Sequence, residues 1–585
     1  MSQPRLSRIL IANRGEIALR VLRACHDTGR QGIAVYADAD AGADWLRLAD
    51  AAFALPGATP AETYLNIPAL IEIARRAGAD AVHPGYGFLS ENPDFARAVT
   101  KAGLVWIGPD ADTIAALGDK LAARRIAAEV GAPLLPGSEA ALPDLQALHD
   151  FASRHGLPVI IKAAAGGGGR GMRVVREMAE LAPALAAASR EAQAAFGNPA
   201  CFVERFLDRP RHIEAQVLAD HHGRVAVLGL RDCSLQRRHQ KLVEEAPAPF
   251  LPEDLAQRVA GAARDICRHA GYRGAGTVEF LLGEDGVLSF LEVNTRLQVE
   301  HPVTEEVTGI DIVAAQFLIA EGRALDIPDM PAPRGHAIEF RINAEDPGRG
   351  FLPTPGRVTR FDPPAGPGVR VDSAIRAGET VPAAFDSLIA KLIVTGSTRA
   401  EALSRARRAL AEFRIEGVAT TLPFARAVLD APAFNGQDAF AVHTGWIEQE
   451  FAHSLAAALR VPQAEDMLLR LPVEIDGQRR DIGFPAAALT RLAQHLGATP
   501  VPTLPQAPPD ATPDRGRLQA PVAGVLARWL VGDGQRVTSG QQVAVIEAMK
   551  MEMPQTAPRA GVLHHELPEG AEVSADEVFG LVSEA

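Results

Sequence analysis

The sequence predicts a multidomain α/β protein that ends in a small all-β sandwich. Three observations carry this reading. Short apolar strands alternate with helical stretches over roughly residues 1–115. Five prolines crowd into the fourteen residues from Val501 to Asp514. Residues 516–585 repeat themselves at a shift of 37.

Strands spaced by helices imply a parallel sheet with helices on its faces. Arg8 to Ala12 reads as a strand, Glu16 to His26 as a helix and Gly32 to Tyr36 as a second strand. Ala79 to His83 and Leu104 to Ile107 continue the pattern. One helix is expected from Ala111 to Gly131, then a strand from Pro158 to Lys162, a glycine cluster, and strands and hairpins to about residue 330. The stretch 330–450 is mixed. Leu471 to Phe484 carries an Asp476-Gly477 turn between apolar runs and reads as a hairpin. The proline stretch is semi-rigid and extended, with a reach on the order of 40 Å at about 3.1 Å per residue. In the repeat, Ala520, Pro521, Ala523, Gly524, Val525 and Leu526 fall on Ala557, Pro558, Ala560, Gly561, Val562 and Leu563. Such halves suggest a pseudo-twofold sandwich, with Lys550 at an exposed hairpin tip between them.

Composition narrows the function. The 585 residues are 47% hydrophobic and 22% charged, enough apolar material for several cores. A net charge of −13 argues against nucleic acid or an anionic membrane as main partner. The cysteines, Cys25, Cys201, Cys233 and Cys267, form no C-x-x-C unit and read as thiols in a reducing compartment. No leader pattern and no run near 18 apolar residues is present, so a cytoplasmic location is expected.

Three motifs carry chemistry. Met549 and Met551 bracket Lys550, an odd setting for a solvated turn lysine. Four consecutive glycines follow the Pro158–Lys162 strand, leaving backbone N–H groups free to approach an anion, with Lys162 adding a point charge. The run from Gly276 to Asn294 reads as two strands joined at Glu284-Asp285. If Gly283 pairs with Gly286, Glu279 faces Phe290 and Glu292 is its diagonal neighbour, with Asn294 on the same face. Two carboxylates and an amide oxygen suit Mg²⁺. Beyond them Arg296, Gln298 and Glu300 alternate with apolar residues, so an extended segment points all three one way. A guanidinium can hold a small oxyanion and a carboxylate can act as base.

The segment around Glu547-Ala-Met-Lys-Met-Glu552 resembles the biotinyl domain of biotin-dependent carboxylases. Lipoyl domains share that fold but usually have Asp where Met549 stands. The glycine loop, lysines and paired glutamates resemble the ATP-grasp enzymes. Ile11 to Ala18, His83 to Asn92, Arg231 to Lys241, Glu292 to Pro302 and Arg341 to Asp346 resemble the biotin carboxylase branch over about residues 5–450. The whole chain is similar to an α subunit of an acyl-CoA carboxylase.

The resemblance implies a Rossmann-like (pre-ATP-grasp) N-terminal domain at 1–115, an ATP-grasp domain at 116–330 and an α+β C-terminal carboxylase domain at 331–450. A possible subunit-docking segment at 451–500, the linker at 501–515 and a biotinyl/lipoyl-type sandwich at 516–585 follow. It implies that Lys120, Lys162, Gly168, Gly169, Glu204, His212, Gln236 and His239 bind ATP, and that Glu279, Glu292 and Asn294 hold Mg²⁺ (or Mn²⁺). Lys241, Arg296, Gln298 and Val299 fall in the bicarbonate pocket, Glu300 is the base, Arg341 faces the biotin ureido oxygen and Tyr86 lies near the biotin. Lys550 carries covalent biotin. Arg205 stands where relatives often have Lys, and Ala165 where some have Gly. The implied chemistry is activation of bicarbonate by ATP to carboxyphosphate and CO₂ transfer to biotin. Residues 451–500 are too few for a carboxyltransferase, so a separate β subunit is expected, with a biotin protein ligase as modifier and a homo-oligomer within a larger complex. Acetyl-CoA or propionyl-CoA is the expected acceptor; 3-methylcrotonyl-CoA, geranyl-CoA and urea systems stay open. Two other readings are a related ATP-grasp ligase with a lipoyl-like appendage, and a non-catalytic scaffold.

Overall fold

A computed structural model describes residues 5–164, 172–437, 439–451, 468–475, 478–485, 516–549 and 551–583. The chain divides into two compact units, residues 1–346 with 351–452, and residues 347–350 with 453–585.

The first unit opens with the expected parallel sheet. Its strands are β1 (Arg8–Ile11), β2 (Gln31–Tyr36), β3 (Ala51–Ala54), β4 (Ala81–His83) and β5 (Val105–Trp106), in the order β3-β2-β1-β4-β5. Ile9, Leu10 and Ile11 are fully buried, as apolar runs in parallel strands covered on both faces should be. Helices α1 (Gly15–Asp27), α2 (Ile67–Arg76) and α3 (Pro93–Lys101) connect them. The Asn92 side chain caps α3 by accepting from the N–H groups of Asp94 and Phe95.

The single helix expected from Ala111 to Gly131 is two: α4 (Ala111–Gly118) and α5 (Lys120–Glu129). Asp119, at φ −79°, ψ 115°, ends the first and starts the second, and its carboxylate accepts from the Ala122 N–H at 2.7 Å. Apolar periodicity runs straight through such a break, because the cap is a side-chain event. The break makes Lys120 the first residue of α5.

A small layer follows: α6 (Leu145–His155), β6 (Val159–Ala163), β7 (Arg173–Val175), α7 (Leu181–Phe196) and β8 (Cys201–Arg205), with sheet order β7-β6-β8. Then comes an eight-stranded sheet. It contains β9 (Arg211–Ala219), β10 (Val225–Arg237), β11 (Gln240–Ala246), β12 (Gly274–Leu282), β13 (Leu288–Asn294) and β14 (His336–Asn343), with helices α8 (Glu253–His269), α9 (His301–Thr308) and α10 (Ile312–Ala320). Its order is β13-β12-β9-β10-β11-β14, then Leu388–Gly396, then Val369–Ser373.

The register predicted for β12 and β13 is corrected. Leu282 pairs with Leu288, so the turn spans three residues rather than two, and a bulge between the Phe280–Phe290 and Glu279–Glu292 pairs leaves Leu291 unpaired. Each adds one residue to the β13 side. Glu292 therefore lies directly opposite Glu279, not diagonal to it.

In the second unit, strands Leu468–Ile475 and Gln478–Pro485 pair antiparallel and bracket residues 476–477, where a turn is expected. Residues 516–583 hold two four-stranded sheets. One runs Met551–Thr556, Gln542–Ala548, Gly524–Trp529, Glu572–Val573; the other runs Arg517–Gln519, Val578–Ser583, Gly561–His565, Arg536–Val537. Applying the sequence repeat converts one order into the other, strand by strand. Leu526 and its counterpart Leu563 are both fully buried. Gly524 and its counterpart Gly561 both lie where a Cβ would meet a carbonyl oxygen, of Glu547 at 2.5 Å and of Ser583 at 2.0 Å. Met549, at φ +48°, is buried at 4% exposure, so at least one methionine of the turn serves the core. Lys550 lies outside the described residues, as do Ala165, Gly168, Gly169 and the proline stretch. Among the described residues no helix is long and apolar enough to cross a membrane.

Candidate active site

Two motifs of the first unit dock on one another at the head of α1. Asn13 donates to the carbonyls of Pro84 and Tyr86, at 2.7 and 2.8 Å. Gly85, at φ +64°, passes so close that a Cβ would lie 2.8 Å from the Asn13 amide. This fixes the Tyr86 loop, and the Tyr86 hydroxyl donates to Glu16.

At the site expected for the nucleotide, Lys162 of β6 and Arg124 of α5 both pair with Glu204 of β8. Burial alone would raise the Glu204 carboxyl, but Lys162, Arg124 and Lys120 hold it below its ordinary range. Lys120 is itself lowered, by burial and by the like charge of Lys162, with Glu292 and Glu204 opposing. Helix α5, the β7-β6-β8 sheet and β13 thus bring Lys120, Lys162, Glu204 and Glu292 into one electrostatic neighbourhood. His239 sits in the two-residue turn between β10 and β11, where Arg238 and His239 both take positive φ, 47° and 65°. Without glycine or asparagine this turn is strained.

The three residues expected to hold a metal are neighbours. Glu279 and Glu292 face one another across the β12–β13 pair, and the Asn294 amide donates to Glu279 at 2.6 Å. Burial and the charge of Glu279 push the Glu292 carboxyl up. A hard divalent cation would relieve that repulsion, and this donor set fits one. His212 Nε2 lies 3.0 Å from Glu279 and 3.3 Å from Glu214. Burial opposes its charge, yet the two carboxylates outweigh it and push the imidazole up to about 10. Gln236 reaches the other ring nitrogen at 3.3 Å.

Lys241 is the hub. Its ammonium pairs with Glu214, with Glu279 at 3.0 Å and with Glu300 at 2.8 Å. Burial alone would strip its proton; three carboxylates instead raise it well above its ordinary range. Arg341 closes the far side, 2.8 Å from Glu300 and 2.6 Å from Glu244. Glu300 is fully buried, which favours the neutral acid, but Lys241, Arg341 and Arg231 hold it below the ordinary carboxylate range. It is therefore ionised at neutral pH, the form a base requires.

Arg296, Gln298 and Glu300 do not share one extended face. Arg296 and Gln298 touch, Nη1 to Oε1 at 3.1 Å, but residues 299–300 turn into α9, with Glu300 at its N-terminal boundary and its carboxylate making no bond to the helix. The three still meet through intermediaries: Gln298 donates to Glu279 at 3.1 Å, and Lys241 bridges Glu279 to Glu300. Arg296 is also held by Glu91, at 2.9 Å. The Val299 carbonyl accepts from Lys391 at 3.0 Å.

Sequence reasoning missed Glu214, Arg231, Glu244, Arg124, Glu91 and Lys391. The period-two alternation of His212, Glu214 and Gln216 along β9 could have found Glu214. Arg231 is fully buried, and its guanidinium reaches Glu214, Gln216, Thr277 and Thr304. It opens the Arg231–Lys241 motif, but no local pattern shows its role, because its partners come from β9, β12 and α9.

Four family models match the chain. They are the biotin carboxylase N-terminal domain (5–114), the carbamoyl-phosphate synthase L chain ATP-binding domain (119–328), the biotin carboxylase C-terminal domain (339–449) and the biotin-requiring enzyme model (516–581). The chain is 51% identical over 572 residues to the biotin-dependent acyl-coenzyme A carboxylase alpha3 subunit of Mycobacterium leprae, covering 96% of this chain and 95% of that one. Among solved structures it resembles the biotin carboxylase–β,γ-ATP complex from Campylobacter jejuni (TM-score 0.73, 44% identity, 76% of this chain and 98% of that one). It also resembles the biotin carboxylase domain dimer of Hydrogenobacter thermophilus 2-oxoglutarate carboxylase, solved with MgADP, ADP and bicarbonate (TM-score 0.74, 42% identity, 77% and 99%).

Proposed function

The chain belongs to the biotin-dependent carboxylases, as a biotin carboxylase fused to its biotin carrier domain in the manner of acyl-CoA carboxylase α subunits, and on that premise we propose how its residues divide the work. The enzyme is an ATP-dependent ligase that uses bicarbonate, Mg²⁺ and biotin. Its kind requires a carboxyltransferase partner.

The observation that carries the assignment is the buried Lys241–Glu300–Arg341 cluster abutting Glu279. Glu300, kept ionised by its cations, takes the proton of bicarbonate. Lys241, Arg296, Gln298 and the Val299 backbone bind that anion, and its oxygen then attacks the terminal phosphorus of ATP. Lys120 and Lys162 neutralise the phosphates, which Gly168 and Gly169 also bind, with Glu204, His212, Gln236 and His239 around the nucleotide. Glu279, Glu292 and Asn294 would hold Mg²⁺, which supplies neutralising charge when bound. Lys550 would hold biotin, which supplies a ureido nitrogen able to carry CO₂ between sites. Arg341 would stabilise charge on that ureido oxygen, and Tyr86 would line the biotin side of the site.

Acetyl-CoA or propionyl-CoA is the acceptor in this reading, a biotin protein ligase modifies Lys550, the carboxylase region forms a homo-oligomer, and residues 451–500 dock the β subunit. The test is bicarbonate-dependent ATP hydrolysis by the full chain with free biotin, in the wild type and in Glu300→Gln. An unchanged rate in the variant would remove Glu300 as base. Lys550→Arg should leave this rate intact while preventing mass addition in cells holding biotin ligase. Labelled bicarbonate fixation by the native complex on the candidate acyl-CoA esters identifies the acceptor. Deleting residues 451–500 should abolish co-purification of the β subunit.

A further inference from the structure

Lys391 belongs to no motif of the sequence and to none of the roles above, yet it is among the most enclosed cations of the described residues, at 0% exposure. It lies on strand Leu388–Gly396, directly opposite Arg341 on one side and Asp372 on the other. Its ammonium makes two contacts. It donates to the Val299 carbonyl at 3.0 Å, and it lies 3.1 Å from Glu16 Oε2. The other oxygen of Glu16 accepts from the Tyr86 hydroxyl, and the Lys391 ammonium is 5.9 Å from the Tyr86 ring centre. A chain of direct contacts therefore runs from Tyr86 through Glu16 and Lys391 to the peptide that joins Val299 to Glu300.

That peptide and the one before it are each held by a side chain. Lys391 holds the Val299 carbonyl, and the His301 Nδ1–H donates to the preceding carbonyl, of Gln298, at 2.7 Å. Two successive carbonyls held by buried side chains set the backbone orientation from which Glu300 projects. A simple counter-ion would not need this geometry. Glu339, opposite Ile393 on the paired strand, has both carboxylate oxygens buried without a hydrogen-bond partner, while the ammonium donates its hydrogen bond to the Val299 carbonyl.

We propose that Lys391 is a positioning residue that ties the Tyr86 loop, through Glu16, to the Val299–Glu300 peptide. The inference rests on the assignment of Glu300 as base and of Tyr86 beside biotin. Its consequence is that the biotin side and the bicarbonate side of the site are mechanically one: displacement of the Tyr86 hydroxyl moves the carboxylate of Glu300.

The experiment is a double-variant cycle on the full chain, read as bicarbonate-dependent ATP hydrolysis with free biotin. Lys391→Met should lower kcat on the order of 10–100-fold, the cost of misplacing a catalytic group by about an ångström. KM for ATP should stay within about twofold, because no nucleotide contact is lost. Tyr86→Phe should lower kcat less, and the double variant should be no worse than Lys391→Met alone. Losses that multiply, or a KM for ATP that rises in step with the fall in kcat, would overturn the proposal. Should Lys391→Met not fold, the cycle is run with Tyr86→Phe and Glu16→Gln, where an undiminished effect of Tyr86→Phe in the Glu16→Gln background would overturn it equally. Glu300→Gln separates the two layers. If that variant keeps its rate, the base assignment fails; if it is inactive while the cycle is multiplicative, only the role of Lys391 fails.

Discussion

Glu245 stands one residue from the site, and replacing it by glutamine should cost stability in a pH-dependent way. The residue is 1% exposed. His336 Nε2 donates to it at 2.7 Å, and Arg399 donates to both oxygens, at 2.7 and 3.0 Å. Arg399 also reaches the carbonyls of Phe434 and Gly436, so one carboxylate joins β11, β14, the start of helix Arg399–Glu412 and the loop after Asn435. Burial opposes the charge, but the hydrogen bonds from His336 and Arg399 outweigh it and lower the carboxyl from 4.5 to about 2. At about 1.4 kcal/mol per pH unit, the ionised carboxylate contributes ~3 kcal/mol at neutral pH. A depressed carboxyl stabilises fully above its unfolded value and loses that contribution as pH falls through the folded one. The penalty of Glu245→Gln should therefore be ~3 kcal/mol at pH 7, about half that at pH 3, and negligible near pH 2. Urea midpoints of the full chain, followed by tryptophan fluorescence from pH 7 down to pH 3, measure it. Because Glu244 and Arg341 share the β11–β14 pair with Glu245 and His336, kcat should fall as well. A penalty independent of pH, or below about 1 kcal/mol at pH 7, would show that the cluster is ordinary packing and refute the electrostatic account.

Three further expectations follow from the geometry. Asp119→Ala should cost about 1 kcal/mol through loss of the α5 cap, and by freeing Lys120 at the helix start it should raise KM for ATP more than it lowers kcat; an ATP titration beside a urea melt reads both. Glu292→Gln should raise the Mg²⁺ concentration for half-maximal rate by about tenfold or more. Because burial and Glu279 already raise the Glu292 carboxyl, its charge is a burden to the fold, so the thermal midpoint of that variant should be equal or higher. All four cysteines are buried, and burial pushes the thiols of Cys25 and Cys267 up to about 12. A maleimide should therefore label none of them until denaturant is added, and mass spectrometry of the native and denatured chain checks it.

Much of the molecule was legible before any fold was known, and the reasons are local. The parallel sheet at the N-terminus was readable because strands covered on both faces must be apolar throughout. The carrier sandwich was readable because its two halves solve the same packing problem with the same residues: Leu526 and Leu563 in the core, Gly524 and Gly561 against a carbonyl. The carboxylate pair of β12 and β13 was readable, yet its register was not, since the bulge at Leu291 leaves no trace in the alternation of residue types. The break at Asp119 escaped for a related reason, because a cap is one side chain overriding a continuous apolar stripe.

The chain's own order of residues determined which chemical groups exist: the lysine between methionines, the run of glycines, the lysines and the acids of β12 and β13. Only the folded arrangement decided their ionisation and their neighbours. Glu300 is ionised because Lys241 of β11 and Arg341 of β14 converge on it, and Glu214 is held by an arginine seventeen residues away on the next strand. Lys391, ninety-two residues from the carbonyl it holds, has no counterpart in any local pattern. Charge–charge energies depend on separation and burial, and both are set by strand pairing between distant segments rather than by sequence spacing.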